Sequence, residues 1–408
     1  LNLQIRGDRL DVFGNSGLVL AAYAKSAPAV ELACVASPRN TSATFFSGTA
    51  FPVVAGETYT IELAAITSDG NNANYNLVVT SAPPASVSIS PSVAAIPAGS
   101  APFPFTAFVN GPDNKAVRWS LSPAVGRLSN SGVYSAPAQL SAPVDVTITA
   151  ASSGDPNGSA TAKVTVGGAS PISATAAGVL SAASYSGGGV SPGEIFVLFG
   201  SGFGPASLAG ATVTPAGFFE TTSGGTRVFF DGVPAPMIYA VSGQLSAIVP
   251  YEVAGKTSTV MQVFYNGQLS PPITLPVKDA VPGFFSSDAS GKGQAAAFNQ
   301  DFNLNSKANP ADRGSVVVLF GTGEGQTSPG GVDGRINNAV FPNPTQPVKV
   351  TIGGLDAPVG YFGAAPNLVS GVFQANVTIP QGAPSGDVPV VVTVGGVASP
   401  AGITIAVK

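Results

Sequence analysis

The sequence predicts an all-β chain of four β-sandwich domains in a row, of Ig-like and jelly-roll-like type, and three observations carry that expectation. Short runs of Val, Ile, Phe and Thr alternate in and out along the whole length, and no stretch shows a sustained helical period. Glycine and proline are abundant, at 50 and 36 of 408 residues, without a Gly-X-Y period, and they supply the tight turns that many short strands need. The C-terminal half is also written twice. Gly193-Glu-Ile-Phe-Val-Leu-Phe-Gly-Ser-Gly-Phe-Gly204 returns as Gly314-Ser-Val-Val-Val-Leu-Phe-Gly-Thr-Gly-Glu-Gly325, and each copy is followed by an Ala-Pro turn and a tyrosine (Ala235, Pro236, Tyr239; Ala357, Pro358, Tyr361). The glycines are displaced by 121 residues and the tyrosines by 122, so the register holds across a whole domain. Repeats of this kind read as strung or stacked modules.

Residues 1–82 form the first domain. Its strands are Arg9-Leu-Asp-Val-Phe13, Leu18-Val-Leu-Ala-Ala-Tyr23, Ala43-Thr-Phe-Phe46, a long run from Phe51 to Leu63, and Tyr75-Asn-Leu-Val-Val79. The Val-Leu-Ala-x-Tyr, Ala-Gly-Glu-Thr-Tyr-x-Ile and Asn-Tyr-Asn-Leu-Val-Val strands resemble the pre-peptidase C-terminal domains, small sandwich modules of secreted proteins. Most strands that this family places before Arg9 are missing, so the front of the domain is expected to be completed by a strand from elsewhere or by chain beyond Leu1. Ser81-Ala-Pro-Pro-Ala85 is a stiff linker.

The second domain spans 85–166, with period-2 runs at Val87-Ser-Ile-Ser-Pro91, Phe103–Val109, Val117–Leu121, Gly132–Pro137, Val144–Ala150 and Ala160–Val166. Its Val-x-Trp-Ser-Leu-Ser-Pro and Ser-Gly-Val-Tyr-Ser-Ala-Pro segments resemble bacterial Ig-like domains. Alternation puts Trp119 on one face with Val117 and Leu121, which makes it a core residue rather than a sugar platform. Gly167–Pro171 is a second linker, and the twin domains occupy 172–281 and 282–408. Both resemble an uncharacterised C-terminal domain of secreted proteins from Solibacter-type soil bacteria. The motifs are Leu-Phe-Gly-x-Gly-x-Gly, Gly243-Gln-Leu-Ser-Ala-Ile-Val-Pro250, Pro282-Gly-Phe-Phe285, Gly293-Gln-Ala-Ala-Ala-Phe-Asn299 and Val372-Phe-Gln-Ala-Asn-Val-Thr-Ile-Pro380. That resemblance implies Ig-like folds on an exported protein and no assigned activity.

Composition excludes several functions. The chain has no histidine, which removes Ser-His-Asp and Cys-His nucleophilic catalysis and histidine zinc sites. Its single cysteine, Cys34, lies in an alternating run and reads as a buried, inert thiol, and no intrachain disulfide can form. A net charge of −4 with 17 scattered Lys and Arg leaves no footprint for nucleic acid. The longest apolar runs are far shorter than the roughly 20 residues of a membrane span. Charged residues make up 9 % of the chain against a typical figure of about 25 %, so part of the surface is expected to be covered by neighbouring copies or to be a neutral Thr/Asn/Gly surface.

The glycine clusters at 200–204 and 321–325 lack the helix that a phosphate loop requires, and read as positive-φ turns at strand ends. Asp11, Glu57, Glu62, Asp231, Glu252, Asp301, Asp312, Glu324 and Asp333 form no dense carboxylate pair in sequence, so no enzyme is expected. Asp69-Gly-Asn-Asn72 and Asp301-Phe-Asn303 match Asx turns better than calcium loops. Asn40, Asn157 and Asn376 head N-x-Ser/Thr triplets, read as coincidental in a bacterial product.

The termini complete the reading. Leu1, Leu3 and Ile5 alternate in one terminal strand and Ile403, Ile405 and Val407 in the other, and a terminal strand can pair with its own domain or with a neighbour's. The resulting expectation is an extracellular or cell-surface bacterial protein without cofactor or metal. It would be a structural or adhesive subunit that associates with itself in an oligomer or filament, with a glycan- or surface-binding tail of a larger secreted protein as the alternative.

Overall fold

The computed structural model describes residues 2–9, 16–24, 31–36, 46–52, 58–67, 75–81, 85–111, 115–155 and 157–408. The chain is all-β: the described residues form strands throughout, with one short 3-10 turn at Tyr251–Val253. Asp69–Asn72, Asn40 and Leu1 lie outside the described residues. Two compact units result, one of residues 1–94 and 103–166 and one of residues 95–102 and 167–408.

The first unit begins with two three-stranded antiparallel sheets. One has the order Phe46–Pro52, Asn2–Arg9, Tyr75–Ser81, and the other Glu31–Ala36, Ser16–Ala24, Tyr59–Thr67. Of the run expected as one strand from Phe51 to Leu63, Phe51 and Pro52 end one strand and Tyr59 to Leu63 belong to the next, in the other sheet. The N-terminal strand is the middle strand of its sheet, where Leu3 pairs with Phe51 and Ser81, and Ile5 with Thr49 and Val79. Cys34 pairs with Ala21 in the other sheet.

The rest of this unit has a core of Ile89, Phe103, Phe105, Tyr134, Ile148 and Val164. Phe103 and Phe105 meet edge to face at 5.4 Å. Tyr134 is fully buried, so its hydroxyl needs a partner and donates to Val125 O at 2.8 Å; burial pushes its pKa up to about 12. Trp119 shares a face with Val117 and Leu121 as the alternation requires, but it is half-buried, in the strand Val117–Ser122 that pairs with Val144–Ser152. Its ring lies over Gly132, where a Cβ would come within 2.6 Å of the indole and where φ is +82°.

The second unit contains the twin sandwiches. In the first copy, Ser173–Ser181, Ile195–Ser201, Gln244–Ile248 and Met237–Val241 form one sheet in that order, and Arg227–Phe230 with Ser258–Tyr265 the facing one. In the second copy, Val316–Thr322, Phe373–Thr378 and Val359–Ala364 take the equivalent places, facing Ile403–Val407, Gly386–Val394 and Val348–Ile352. Two cores fill them, one around Phe196, Phe203, Phe230 and Met261 and one around Phe284, Leu319, Phe373 and Ile405. Each such side chain contributes about 1.5–3 kcal/mol on burial. Residues 95–102 also belong to this unit: Ala95 N donates to Gly267 O (2.6 Å) and Ala101 N to Gln262 Oε1 (2.9 Å).

Candidate functional site in the seam between the twin domains

The two copies meet along a seam built from strand ends and turns. The glycine clusters lie where the sequence places them, after Ile195–Ser201 and Val316–Thr322, with positive φ at Gly202, Gly323 and Gly325. A Cβ at Gly323 would overlap Val281 O, so the turn can pass that carbonyl only as glycine. With the turn so placed, Thr322 Oγ1 accepts the Ile195 amide of the other copy at 2.8 Å. Phe219 N donates to Gly334 O (2.7 Å) and Ile336 N to Gly217 O (2.9 Å). An apolar cluster of Ile195 and Ile248 from one copy with Ala365, Val369 and Val372 from the other closes the seam. The seam is therefore packed like a core, with its crossing backbone groups paired.

Buried acids lie in and beside this seam. Glu194 is 1 % exposed; its Oε2 accepts the Ser191 amide at 2.8 Å, and burial still pushes its pKa up to about 8 against the opposing pull of Ser191 and Lys278. Glu324 is 2 % exposed, its Oε2 has no hydrogen-bond partner, and burial alone pushes it up to about 8. Asp333 Oδ1 accepts the Tyr251 amide at 3.0 Å. Burial raises Asp333 to about 7, the Tyr251 amide lowers it, and Glu252 raises it through a shared hydrogen bond and its charge. Burial raises the Tyr251 phenol, and Glu324 and Asp333 add to that while Arg335 opposes them. The Tyr251 ring has room only because Gly193 and Gly331 flank it without side chains.

The internal repeat sets one of these acids against a core aromatic. Phe203 and Glu324 occupy equivalent places after the glycine turns, and the strand registers make Gly243 the counterpart of Phe373. In the first copy the Phe203 ring lies over Gly200; in the second the Phe373 ring lies over Gly321. The same space is filled from different chain positions in the two copies. Glu324 stands where the first copy has its core Phe203, and its Oε2 has no hydrogen-bond partner.

Sequence spacing gave no sign that Glu252, Glu324 and Asp333 share a neighbourhood. A signal did exist in the alignment of the two copies, where a core Phe faces a Glu. Among the described residues no group of three or more acidic or thiol side chains could hold a metal. Asp301 forms the expected Asx turn, taking the Asn303 amide and side chain at 3.0 Å each. The terminal strands singled out by sequence are both taken up within their own domains. The strand Asn2–Arg9 is paired on both edges, and Ile403, Ile405 and Val407 are buried, in a strand paired with Gly386–Val394 and with Gly293–Gln294. Neither is a free edge in the single chain, and exchange between copies requires one of them to withdraw.

The chain matches no protein-family profile and no curated protein. It is similar to solved structures of multi-domain β-sandwich proteins. A mixed-linkage glucan utilization locus protein of Bacteroides ovatus, SGBP-B with a mixed-linkage heptasaccharide, is 12 % identical, over 79 % of this chain and 70 % of that one, at a TM-score of 0.23. Protocadherin Gamma B7 extracellular cadherin domains 1–4 are 12 % identical over 85 % and 82 %, at 0.18. The N-terminal eight Ig domains of Down Syndrome Cell Adhesion Molecule are 12 % identical over 95 % and 56 %, at 0.18. No helix among the described residues is long and apolar enough to cross a membrane.

Proposed function

We propose that this chain is an extracellular structural or adhesive protein of bacterial origin, a repeating subunit of a surface filament or matrix. The observation that carries the reading is the seam. The chain commits an apolar cluster and a set of crossing hydrogen bonds, one of them to Asp333, to holding two sandwiches in one arrangement. A fixed joint suits a protein that works by transmitting geometry, whereas catalysis needs a cleft open to substrate. Contacts between copies would use exposed apolar groups such as Phe108 in the first unit and Leu208 in the second, at 64 % and 69 % exposure, on a surface with little charge to keep copies apart. The N-terminal strand is the second route: withdrawn from its sheet, it would add to the sheet of a neighbour.

Electron microscopy and sedimentation of the full chain, beside a variant lacking residues 1–7, test this reading. The full chain should assemble and the shortened one should assemble less. A full chain that stays monomeric at all concentrations and adheres to no surface would overturn the proposal; equal assembly of the two would remove the strand from it.

A further inference from the structure

Outside the seam, one loop of the second twin domain carries two unrewarded costs at the same residue. Phe302 has φ +63°, a left-handed conformation that bulky side chains rarely adopt, and its ring is 83 % exposed. The Phe302 amide is used by its turn, donating to Asn299 O, but the ring gains no burial in return, and such outliers point to a task outside the fold.

The loop is held rigidly beneath that ring. Asn299 N donates to Asn303 O, and Phe302 N to Asn299 O, at 2.8 and 2.9 Å. Asn305, 3 % exposed, then fastens the base: its Nδ2 donates to Asn299 Oδ1 and Ala406 O, and its Oδ1 accepts from Ala406 N and Gln294 Nε2, all within 2.9 Å. The aromatic ring therefore sits on a platform whose ordering has already taken place before any ligand arrives.

Asp301, its neighbour, lines a groove of about 350 Å³ together with Asn299, Gln300, Asn309, Asp312 and Lys408. That volume falls within the range of small-ligand sites. The groove keeps a negative balance, because its one lysine answers one of its two aspartates and Asn303 is neutral. Asp312 pairs with Lys408 at 3.1 Å, and both Asp301 oxygens are taken by Asn303. What stays open is a pair of carboxamide ends whose other ends are fixed. Gln300 Oε1 accepts the Val316 amide at 3.0 Å, which leaves its Nε2 as a donor; Asn309 Nδ2 donates to Leu304 O at 3.2 Å, which leaves its Oδ1 as an acceptor.

A ligand for this place needs a flat apolar face for the ring, hydroxyls that both donate and accept for the carboxamides, and no negative charge beside Asp301. A pyranose has all three. We propose that the Phe302 loop and its groove bind a neutral oligosaccharide, one sugar ring lying on the phenyl face and its hydroxyls meeting Gln300 and Asn309. The site is independent of the seam, so the subunit reading stands or falls separately.

The test is native gel electrophoresis of the full chain through gels containing β-glucan, galactomannan, dextran or, as the charged comparison, alginate. Titration of the matching soluble hexasaccharide by NMR supplies the affinity. At least one neutral polysaccharide should retard the protein, Phe302→Ala should weaken binding at least tenfold, and Phe302→Trp should keep it. Phe302→Ala leaves the melting temperature unlowered because the ring is exposed, and Thr274→Ala, at an exposed position of the sister domain, leaves binding unchanged. No retardation by any neutral polysaccharide, retardation that Phe302→Ala preserves, or retardation by alginate alone would each overturn the proposal.

Discussion

Replacing Glu324 with glutamine keeps the shape of a side chain that is 2 % exposed and removes its titration. Its carboxyl is held at about 8 instead of the ordinary 4.5, and each unit of displacement corresponds to about 1.4 kcal/mol. A group whose folded-state pKa is raised contributes stability that is fully present below the unfolded value and is lost as pH rises through the folded one. Between pH 4.5 and 8 Glu324 ionises in the unfolded chain while the folded one keeps its proton, which should cost the twin-domain unit on the order of 4 kcal/mol. Glu194, also at about 8, and Asp333, at about 7, act in the same sense, so the glutamine variant should lose about a third of the total pH dependence. At pH 5, where Glu324 keeps its proton, variant and parent should agree within about 1 kcal/mol, since both bury one imperfectly paired polar group. In a unit of this size 4 kcal/mol is about 8–16 °C of melting temperature. Calorimetry at pH 5, 7 and 9 measures the global effect. Amide hydrogen exchange at Ile195 and Tyr251, whose protons cross the seam, measures the local one. Parallel pH profiles for parent and variant would refute the reasoning, because they would mean that Glu324 is hydrated in the folded protein.

Three further outcomes follow from single contacts. Thr322→Val strips the Ile195 amide of its acceptor inside the seam and should destabilise the twin unit by about 1–3 kcal/mol in urea unfolding. Gly323→Ala drives a methyl into Val281 O and forces an L residue to φ +84°; a loss above about 2 kcal/mol is expected, whereas the same change at Gly217, also at positive φ but with open space around it, should cost only about 1 kcal/mol. Phe302→Gly should raise the melting temperature slightly, by relieving a strain of about 1–2 kcal/mol less the added freedom of glycine in the unfolded chain.

Much of this architecture was legible in the chain. Period-2 patterning, glycine at strand ends and the 121-residue repeat specify strands, turns and the kinship of the two copies, because these depend on neighbours a few residues apart. Trp119 was placed on the correct face by alternation alone, while its half-burial depends on how the adjoining sheet covers it. The long run from Phe51 to Leu63 shows a local limit: its apolar pattern continues, but its two ends belong to different sheets.

By itself the sequence determined the all-β class, the positions of the turns, and the absence of histidine and disulfide chemistry, since these follow from residue identity and short-range sterics. Only the tertiary structure decided that Glu252, Glu324 and Asp333 gather near Tyr251, that Phe373 fills the space its sister copy fills with Phe203, and that Phe302 stands strained beside a groove. It also decided that the N-terminal strand lies in the middle of its sheet. The physical reason is common to all four. Burial, desolvation and strand partnership are properties of the space between segments far apart in sequence, and no local pattern encodes which segment will fill that space.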